Sequence, residues 1–403
     1  MVDALAGIRV TDFGHVLAGA IPGQLMADMG AEVIKVETRA RLDYMRRGRP
    51  IIGDKPDPEQ NPMFHNVNHS KLSISVDMVQ PKANRLLKEL IKISDVVIEN
   101  FSPAVMGSIG LDYPDLVQVK PDIIMLSMPG AGRHGPRRNV RTVAPTVNSL
   151  SGIDYLTGYT GEQPLGIKLI YGDMCSALHG LFALLTALHY RRKTGKGQHI
   201  DLSMCESITV LMGEAIMDYT MNNRVLSAQG NRHPTMAPHN LYRCQGEDKW
   251  VAIAVDTEEE WKSFCQAVGN PEWVNEVRFS DKFKRMNNLD ALDKHITEWT
   301  VNYTPYEVMD ILQKAGVAAT PHMSAADRFY DPHYQEHKVY VDVEHPILGS
   351  EVIYNQVWKM SETPGRIRRR APLMGEHNNY VFGELLHLPS EEIEQLVEEK
   401  VIY

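Results

Sequence analysis

The sequence predicts an α/β chain, with a large domain on a parallel sheet and a smaller α+β domain. Three observations lead there. Short apolar runs alternate with helical stretches from Ile8 to Ser127. A long Pro-free apolar run, Met174 to Tyr190, follows and reads as a single core helix. The alternation then fails at Asn222-Asn223 and again through Gln229 to Pro234, and hairpin-like patterns take over. The boundaries drawn from this are 1–225 for the large domain, 226–330 for the small domain with its linkers, and 331–403 for a return to the large one.

The elements follow in order. Ile8 to Phe13 reads as a buried strand, and Gly14 to Pro22 as the entry to a helix that runs to Met29 and is closed by Gly30. Strands follow at Glu32–Glu37, Leu72–Val76, Asp95–Glu99 and Asp122–Ser127, with helices at Pro81–Ile93 and Tyr113–Val119. Strand–helix alternation of this kind gives parallel sheets, whose ligands bind beyond the carboxyl ends of the strands. No strand end carries GxGxxG, so a nicotinamide or flavin dinucleotide is not indicated. The core helix ends at Arg191 to Gly197, and Gln198 to Leu202 resumes as a strand. Met204 to Met221 reads as one further long helix. In the small domain, Leu241–Arg243 and Trp250–Val255 form a hairpin, followed by helices and a short strand at Val317–Ala319. A second hairpin, Tyr340–Glu344 with Glu351–Tyr354, and a terminal amphipathic helix complete the chain.

Composition excludes several classes. A net charge of −9 over 403 residues argues against nucleic acid as a partner. No apolar run reaches the length of a membrane span, and Met1 to Gly7 lacks a basic segment leading into an apolar one. Cys175, Cys205, Cys244 and Cys265 form no CxxC pair and read as free thiols of a reducing cytoplasm. His333 and His337 have helical ligand spacing but no third ligand nearby, so no metal is expected.

Asp173 stands after Gly172 at the start of the core helix, where free N–H groups and the helix dipole favour a carboxylate. Locally, an N-cap and a nucleophile are both open. Two arginine clusters lie at predicted strand ends: Arg39, Arg41, Arg46, Arg47 and Arg49, then Arg133, Arg137, Arg138 and Arg141. A solvated loop and a phosphate-binding edge are both open for the first. Together they suggest a polyanionic ligand. Arg366 to Arg370 reads most simply as a solvated basic loop, with reach to an anionic substrate as the other reading.

An ordered series of segments resembles the family III CoA-transferases, the CaiB/BaiF family. It runs Leu5 to Val10, Asp12-Phe13, Leu17-Ala18-Gly19, Asp28 to Glu37, Val97 to Phe101, Gly172-Asp173, Lys193 to Gln198 and Ala371 to His377. The resemblance implies a Rossmann-like parallel sheet in the large domain and an interlocked dimer, whether a homodimer or a heteromer with a related subunit. It implies Asp173 as catalytic nucleophile. It places CoA along His15, Val16 and Ala18, near Arg39, along Val76, Asp77, Met78 and Val79, at Asn100, Phe101 and Ser102, and near Arg141. Acyl-CoA and small carboxylic acids are then the substrates, CoA thioesters being reactants, with no separate cofactor.

The chain departs from formyl-CoA transferase at several points. Leu17 and Pro145 stand at or near the places of an active-site glutamine and glutamate, and Thr38 and Ser108 replace CoA-contacting arginines. The shielding glycine-rich loop is absent, with Gly230 to Pro238 in its region. These changes point to an acyl group bulkier than formate or oxalate. Succinyl-CoA is the expected donor and a substituted dicarboxylate, such as benzylsuccinate or another aryl-succinate, the expected acceptor. Two alternatives are an α-methylacyl-CoA racemase and a CoA-binding subunit without catalysis. The racemase needs two groups flanking Cα, yet Val143 to Gly152 has no histidine where its relatives carry one.

Overall fold

The strands of the first half are short and rich in Val, Ile and Leu, as suits a sheet covered on both faces. In the computed structural model, which describes residues 3–52, 56–167 and 170–403, they are β1 (Arg9–Asp12), β2 (Glu32–Glu37), β3 (Leu72–Ser75), β4 (Val96–Glu99) and β5 (Ile124–Ser127), joined later by β6 (Gln198–Asp201). All pair in parallel in the order β3-β2-β1-β4-β5-β6, with Val10 facing Val33 on one side and Val96 on the other. This is the Rossmann-like order. The direction of winding reverses between β1 and β4, so the loops leaving those two strands part and open a crevice at their carboxyl ends.

Alternate strand residues feed two cores. Ile34, Val36, Ile74, Val97 and Met125 pack with Leu86, Leu87 and Leu90 of helix α2 (Pro81–Lys92) and Leu116 of α3 (Tyr113–Val119). On the other face, Val10, Val33, Ile98 and Leu126 pack with Met26 of α1 (Val16–Asp28). Leu184 and Ala187 join them from the long helix Tyr171–Thr194. Truncating a side chain such as Leu184 to Ala should cost about 2–5 kcal/mol.

That long helix, α5, follows the short α4 (Ala144–Ser151). It differs from the expectation of burial all round. Its buried stripe is Gly172, Asp173, Ser176, Ala177, Gly180, Leu184 and Ala187, spaced three and four apart. Leu178, Phe182 and Leu185 on the other side are 50%, 73% and 41% exposed, because within one chain only one stripe meets the sheet. Gly180 allows the close approach: a Cβ there would lie 2.9 Å from Met128 Sδ. A left-handed Gly195 ends the helix. Lys168 and Leu169, just before it, lie outside the described residues. The expected single helix from Met204 to Met221 is two, α6 (Met204–Thr209) and α7 (Gly213–Asn222), separated at Val210 to Met212, where Gly213 weakens continuity.

The chain divides into two units, the first being Met1–Asp154, Gly166–Val225 and Gln335–Tyr403. The second holds Leu226–Tyr334 and also Tyr155–Leu165, an excursion that the sequence reading does not assign to it. In this second unit, β7 (His239–Arg243), β8 (Trp250–Ala254) and β9 (Ala318–Pro321) form an antiparallel sheet over a core that includes Val251, Phe264, Ile296 and Leu312. In the first, β10 (Tyr340–His345) and β11 (Gly349–Tyr354) pair as a hairpin, and the terminal helix α8 (Ser390–Glu398) adds Leu396 to the main core.

Candidate active site

The turn after β1 is built on buried charge. Asp12 accepts the Gly14 N–H (2.7 Å) and an ion pair from Lys71 (2.7 Å), while Lys35 donates to the Gly14 carbonyl (2.6 Å). Asp43 lies 3.4 Å from Lys35 and accepts the Val16 N–H at 3.0 Å. Val16 has φ +57°, a left-handed conformation unfavourable for a β-branched residue. Its tethered N–H and the clamped Gly14 carbonyl hold the strain in place. Gly14 is required here, since a Cβ would stand 2.2 Å from the Gly19 carbonyl oxygen.

Across the switch point, Asn100 locks this turn to the end of β4. Its Oδ1 accepts the His15 N–H (2.8 Å), and its Nδ2 donates to the His15 carbonyl (2.9 Å). The Phe101 ring meets the His15 ring edge-on, with centroids 5.2 Å apart. Burial lowers the His15 pKa, so its ring favours the neutral form. Ala18, one turn into α1, packs with Val147, Met204 and Ile208. Leu17, Ile21 and Val16 pack with Ala177 and Ile170 of the α5 entry. The turn after β1 and the start of α5 therefore share one wall.

Asp173 is the third residue of α5, and the N-cap position is held by Ile170, which makes no side-chain cap. The N-cap reading is thus corrected. The carboxylate is 5% exposed, and no side chain among the described residues pairs with it. Burial alone pushes its pKa up to about 6. The first N–H groups of a helix have no partner within it, so the start of α5, where this carboxylate stands, is a place of free donors. Gly172 brings two neighbours close: a Cβ there would lie 2.7 Å from Ile208 Cδ1 and 2.8 Å from Asn148 Oδ1. Asn148 is buried and donates to the Ile167 carbonyl at 3.0 Å, fixing the segment before the helix.

The remaining expected CoA residues lie along the same carboxyl edge of the sheet. Val76 is buried and bridges to Ile402, and the Asp77 N–H donates to the Val401 carbonyl (2.8 Å). Met78 and Val79 line a cleft of about 400 Å³ with Asn84, Ser108 and Ile109. Ser102 accepts the Val105 N–H through its carbonyl. Arg39 is exposed over the Tyr403 ring at 5.5 Å. Arg141 is exposed beside Thr142, which packs against Gly130 just beyond β5. His15, Val16, Ala18, Asn100 and Phe101 thus form one group with the α5 entry; Arg39, Val76 to Val79 and Arg141 stand farther along the edge.

Not every arginine in the two clusters is free for an anion. Arg46 is buried, bonded to Glu37 (2.7 and 2.8 Å) and Glu59 (2.8 Å), and lies over Phe64. Arg133 is paired with Asp112 (2.5 Å) and stands 3.7 Å from Glu99. Arg39, Arg41, Arg47, Arg49, Arg137, Arg138 and Arg141 are exposed, with no carboxylate partner among the described residues. In the later basic run, Arg368 pairs with Asp3 and Arg370 with Glu376, so that run is more than a solvated loop. Among the described residues, no group of three His, Cys, Asp or Glu side chains could hold a metal, and no helix is long and apolar enough to cross a membrane.

Sequence reasoning missed Lys35, Asp43, Asn148 and Glu99. For Lys35 a signal exists: it interrupts the apolar run Val33-Ile34-Lys35-Val36 in a strand covered on both faces, where a buried charge needs partners. Asn148 carries no such local mark.

Comparison with known proteins places this geometry in context. A family model described as CoA-transferase family III matches residues 5–378. Succinyl-CoA--D-citramalate CoA-transferase of Chloroflexus aurantiacus is 31% identical over 405 aligned positions, covering 99% of this chain and 98% of that protein. The alpha subunit of succinyl-CoA--L-malate CoA-transferase of Chloroflexus aurantiacus is 32% identical, covering 99% of this chain and 92% of that protein. Among solved structures, a CaiB/BaiF family protein from Brucella suis superposes with a TM-score of 0.88 at 28% identity, covering 96% of this chain and all of that one.

Proposed function

Because the chain belongs to CoA-transferase family III, we propose that it moves CoA from succinyl-CoA to a substituted dicarboxylic acid, with Asp173 as the nucleophile. The observation that carries this is the Asp173 carboxylate: nearly buried, without an ion-pair partner among the described residues, and set in the first turn of a helix beside the switch-point turn. A carboxylate so desolvated is a better nucleophile than one in water, and it is ionised above about pH 6.

The mechanism follows from its desolvation and its place at the start of the helix. Asp173 attacks the thioester carbonyl of succinyl-CoA and expels CoA thiolate, giving a mixed anhydride of succinate and the aspartyl group. The thiolate attacks the aspartyl carbonyl, succinate leaves, and an aspartyl-CoA thioester remains. The acceptor carboxylate attacks that thioester, forming a second anhydride and releasing thiolate again. Thiolate then attacks the acceptor's carbonyl, which yields the new acyl-CoA and regenerates Asp173. The anhydrides lie above the thioesters in energy, but overall one thioester is exchanged for another, so the net reaction needs no further energy input. The oxyanions can be met by first-turn N–H groups. The CoA chain would run from the His15–Asn100 turn towards the cleft at Met78 and Val79, with exposed Arg39 and Arg141 available to its phosphates.

The acceptor reading rests on the two Chloroflexus relatives, whose names pair succinyl-CoA with the dicarboxylic acids citramalate and malate, and on Leu17 and Pro145. An aryl-substituted succinate such as benzylsuccinate stays within this class. The exposed apolar stripe of α5, together with Ile216, Met217 and Met221 of α7 (54%, 59% and 75% exposed), supports a second copy or a related subunit as cover. The decisive experiment mixes the protein with succinyl-CoA alone and adds borohydride, which reduces an aspartyl thioester to the alcohol. Peptide mapping should find the reduced residue at Asp173; modification of a different carboxylate would overturn the assignment.

A further inference from the structure

Glu99 ends β4, the strand at the centre of the sheet, and it is 1% exposed. In that strand Val96 and Ile98 face the α5 side and Val97 faces the α2 and α3 side. By alternation Glu99 points away from Asp173, towards the second face, as do Ser127 of β5 and His199 of β6. It is therefore outside the reaction chemistry, yet it is a buried carboxylate directly before Asn100.

Its two oxygens do different things. Oε2 accepts the Phe101 N–H at 2.7 Å, which folds the chain tightly over Asn100. Oε1 is buried, with Arg133 Nη1 3.7 Å away and Ser127 beside it. The surroundings are charged. The Arg133 guanidinium also pairs with Asp112 (2.5 Å), Asp201 accepts the Arg133 backbone N–H (2.9 Å) and pairs with His134 (2.8 Å), and His199 bonds Ser127 (3.0 Å) and stacks on Tyr113. Burial raises the Glu99 pKa to about 7, opposed by Ser127, the Phe101 N–H and Arg133 and reinforced by Asp112. Burial and Arg133 push His199 down, towards its neutral form.

We propose that Glu99 is a positioning residue for the CoA thioester: its ionised carboxylate holds the Asn100–Ser102 turn, and through Asn100 the His15 backbone, in the conformation that receives the CoA chain. The links are the Glu99–Phe101 bond, the paired Asn100–His15 bonds and the Phe101–His15 ring contact. A charge-assisted hydrogen bond is roughly twice as strong as a neutral one. Protonation of Glu99 loosens the turn, and CoA affinity falls as the pH drops through neutrality. Glutamine keeps the shape and an acceptor but copies only the neutral state.

This inference rests on the CoA-binding reading, and its test separates the two. CoA binding is measured by calorimetry from pH 6 to 8.5 for Asp173→Asn and for Asp173→Asn with Glu99→Gln, so that no titration of the nucleophile intrudes. The CoA phosphate ionises near pH 6 in both proteins and cancels in the ratio of their Kd values. The Glu99→Gln protein should bind several-fold more weakly at pH 8.5, and the ratio should approach one at pH 6. A ratio that is flat with pH overturns the role of Glu99 while leaving CoA binding intact; failure of the Asp173→Asn protein and wild type alike to bind CoA overturns the functional reading itself. A second measurement needs no Glu99 variant. In wild type labelled with ¹⁵N-phenylalanine, the Phe101 amide signal should titrate with a midpoint near neutrality, and an invariant signal from pH 5.5 to 8.5 overturns the proposal.

Discussion

Replacing Asp173 with asparagine should make the protein more stable and nearly inactive, and the gain in stability should depend on pH in a calculable way. The folded protein holds the Asp173 pKa at about 6, against 3.8 for the ordinary group. Below the ordinary value the carboxyl is protonated in folded and unfolded chains alike, and the residue contributes no pH dependence. Between that value and about 6 the unfolded chain has released the proton while the folded one keeps it, so stability falls as the pH rises. Above about 6 the loss is complete, and a shift of about two units corresponds to about 3 kcal/mol. Asparagine has the shape of the protonated carboxyl and carries no charge, so Asp173→Asn should remove that cost. Converted at roughly 2 °C per kcal/mol for a unit of this size, Tm should rise by about 6 °C at pH 8, and the difference should shrink towards zero near pH 4. Thermal scans of both proteins across that range test it. Transfer activity should drop by roughly 10³-fold or more, as for other lost nucleophiles, and the wild-type kcat/KM should show an acid limb near pH 6. Equal Tm values at pH 8, or a difference that persists undiminished at pH 4, would show that the folded protein does not desolvate this carboxylate, and the argument for its reactivity would go with it.

Three further outcomes are expected. With succinyl-CoA as donor, a panel of free acids should give turnover with substituted dicarboxylates and little with formate, oxalate or carnitine; turnover confined to those three would overturn the acceptor class. Gly172→Ala should lower kcat at least tenfold while leaving CoA affinity within about twofold, because the new Cβ, 2.7 Å from Ile208 Cδ1 and 2.8 Å from Asn148 Oδ1, must push the first turn of α5 aside. Overpacking of this kind costs about 1–3 kcal/mol, so Tm should fall by a few degrees, and an unchanged kcat would deny the close packing any role. Native mass measurement should find two chains together, and charged substitutions at Phe182 and Leu185 should split them; a wild-type monomer at micromolar concentration would leave the exposed stripe of α5 without its expected cover.

The sheet was legible in the sequence because most of its strands are short, largely apolar runs between clear punctuation, and the run of strand and helix leaves few topologies open. The order of the strands was not, since it is decided by which edges pair rather than by local pattern. The α5 helix shows how a pattern can mislead. Its apolar residues wrap the circumference, which reads as burial, but in one chain a stripe that includes Leu178, Phe182 and Leu185 remains exposed. Hydrophobicity marks what a surface avoids without saying whether the cover comes from the same chain. The arginines were misread for a related reason. Arg46 and Arg133 share a sequence neighbourhood with exposed arginines, yet Glu37, Glu59 and Asp112 neutralise them from elsewhere in the chain.

The candidate site was legible only in part, and the missing part has a common physical form. Asp173 announces itself by standing before a long helix, and Asn100 by ending a strand. The groups that shape the turn between them are buried charges: Lys35 with Asp43, Lys71 with Asp12, and Glu99 facing Arg133. Taking a charge out of water costs several kcal/mol unless it is paired and bonded, so such groups persist where their geometry does something a neutral side chain cannot. Here Lys35 grips the Gly14 carbonyl and Asp43 the Val16 N–H, on either side of His15 and against the torsional preference of Val16. Lys71, through Asp12, holds the Gly14 N–H from below, and Glu99 holds the turn on the opposite lip. Two ionic contacts thus fix the Gly14–Val16 segment at the mouth of the crevice and a third stands behind the facing turn, with the α5 entry and its aspartate against the same wall. On the proposed mechanism, a mobile turn would have to be ordered by the thioester as it bound, at the expense of affinity; a turn already clamped would leave that binding energy for aligning the acyl carbon with Asp173.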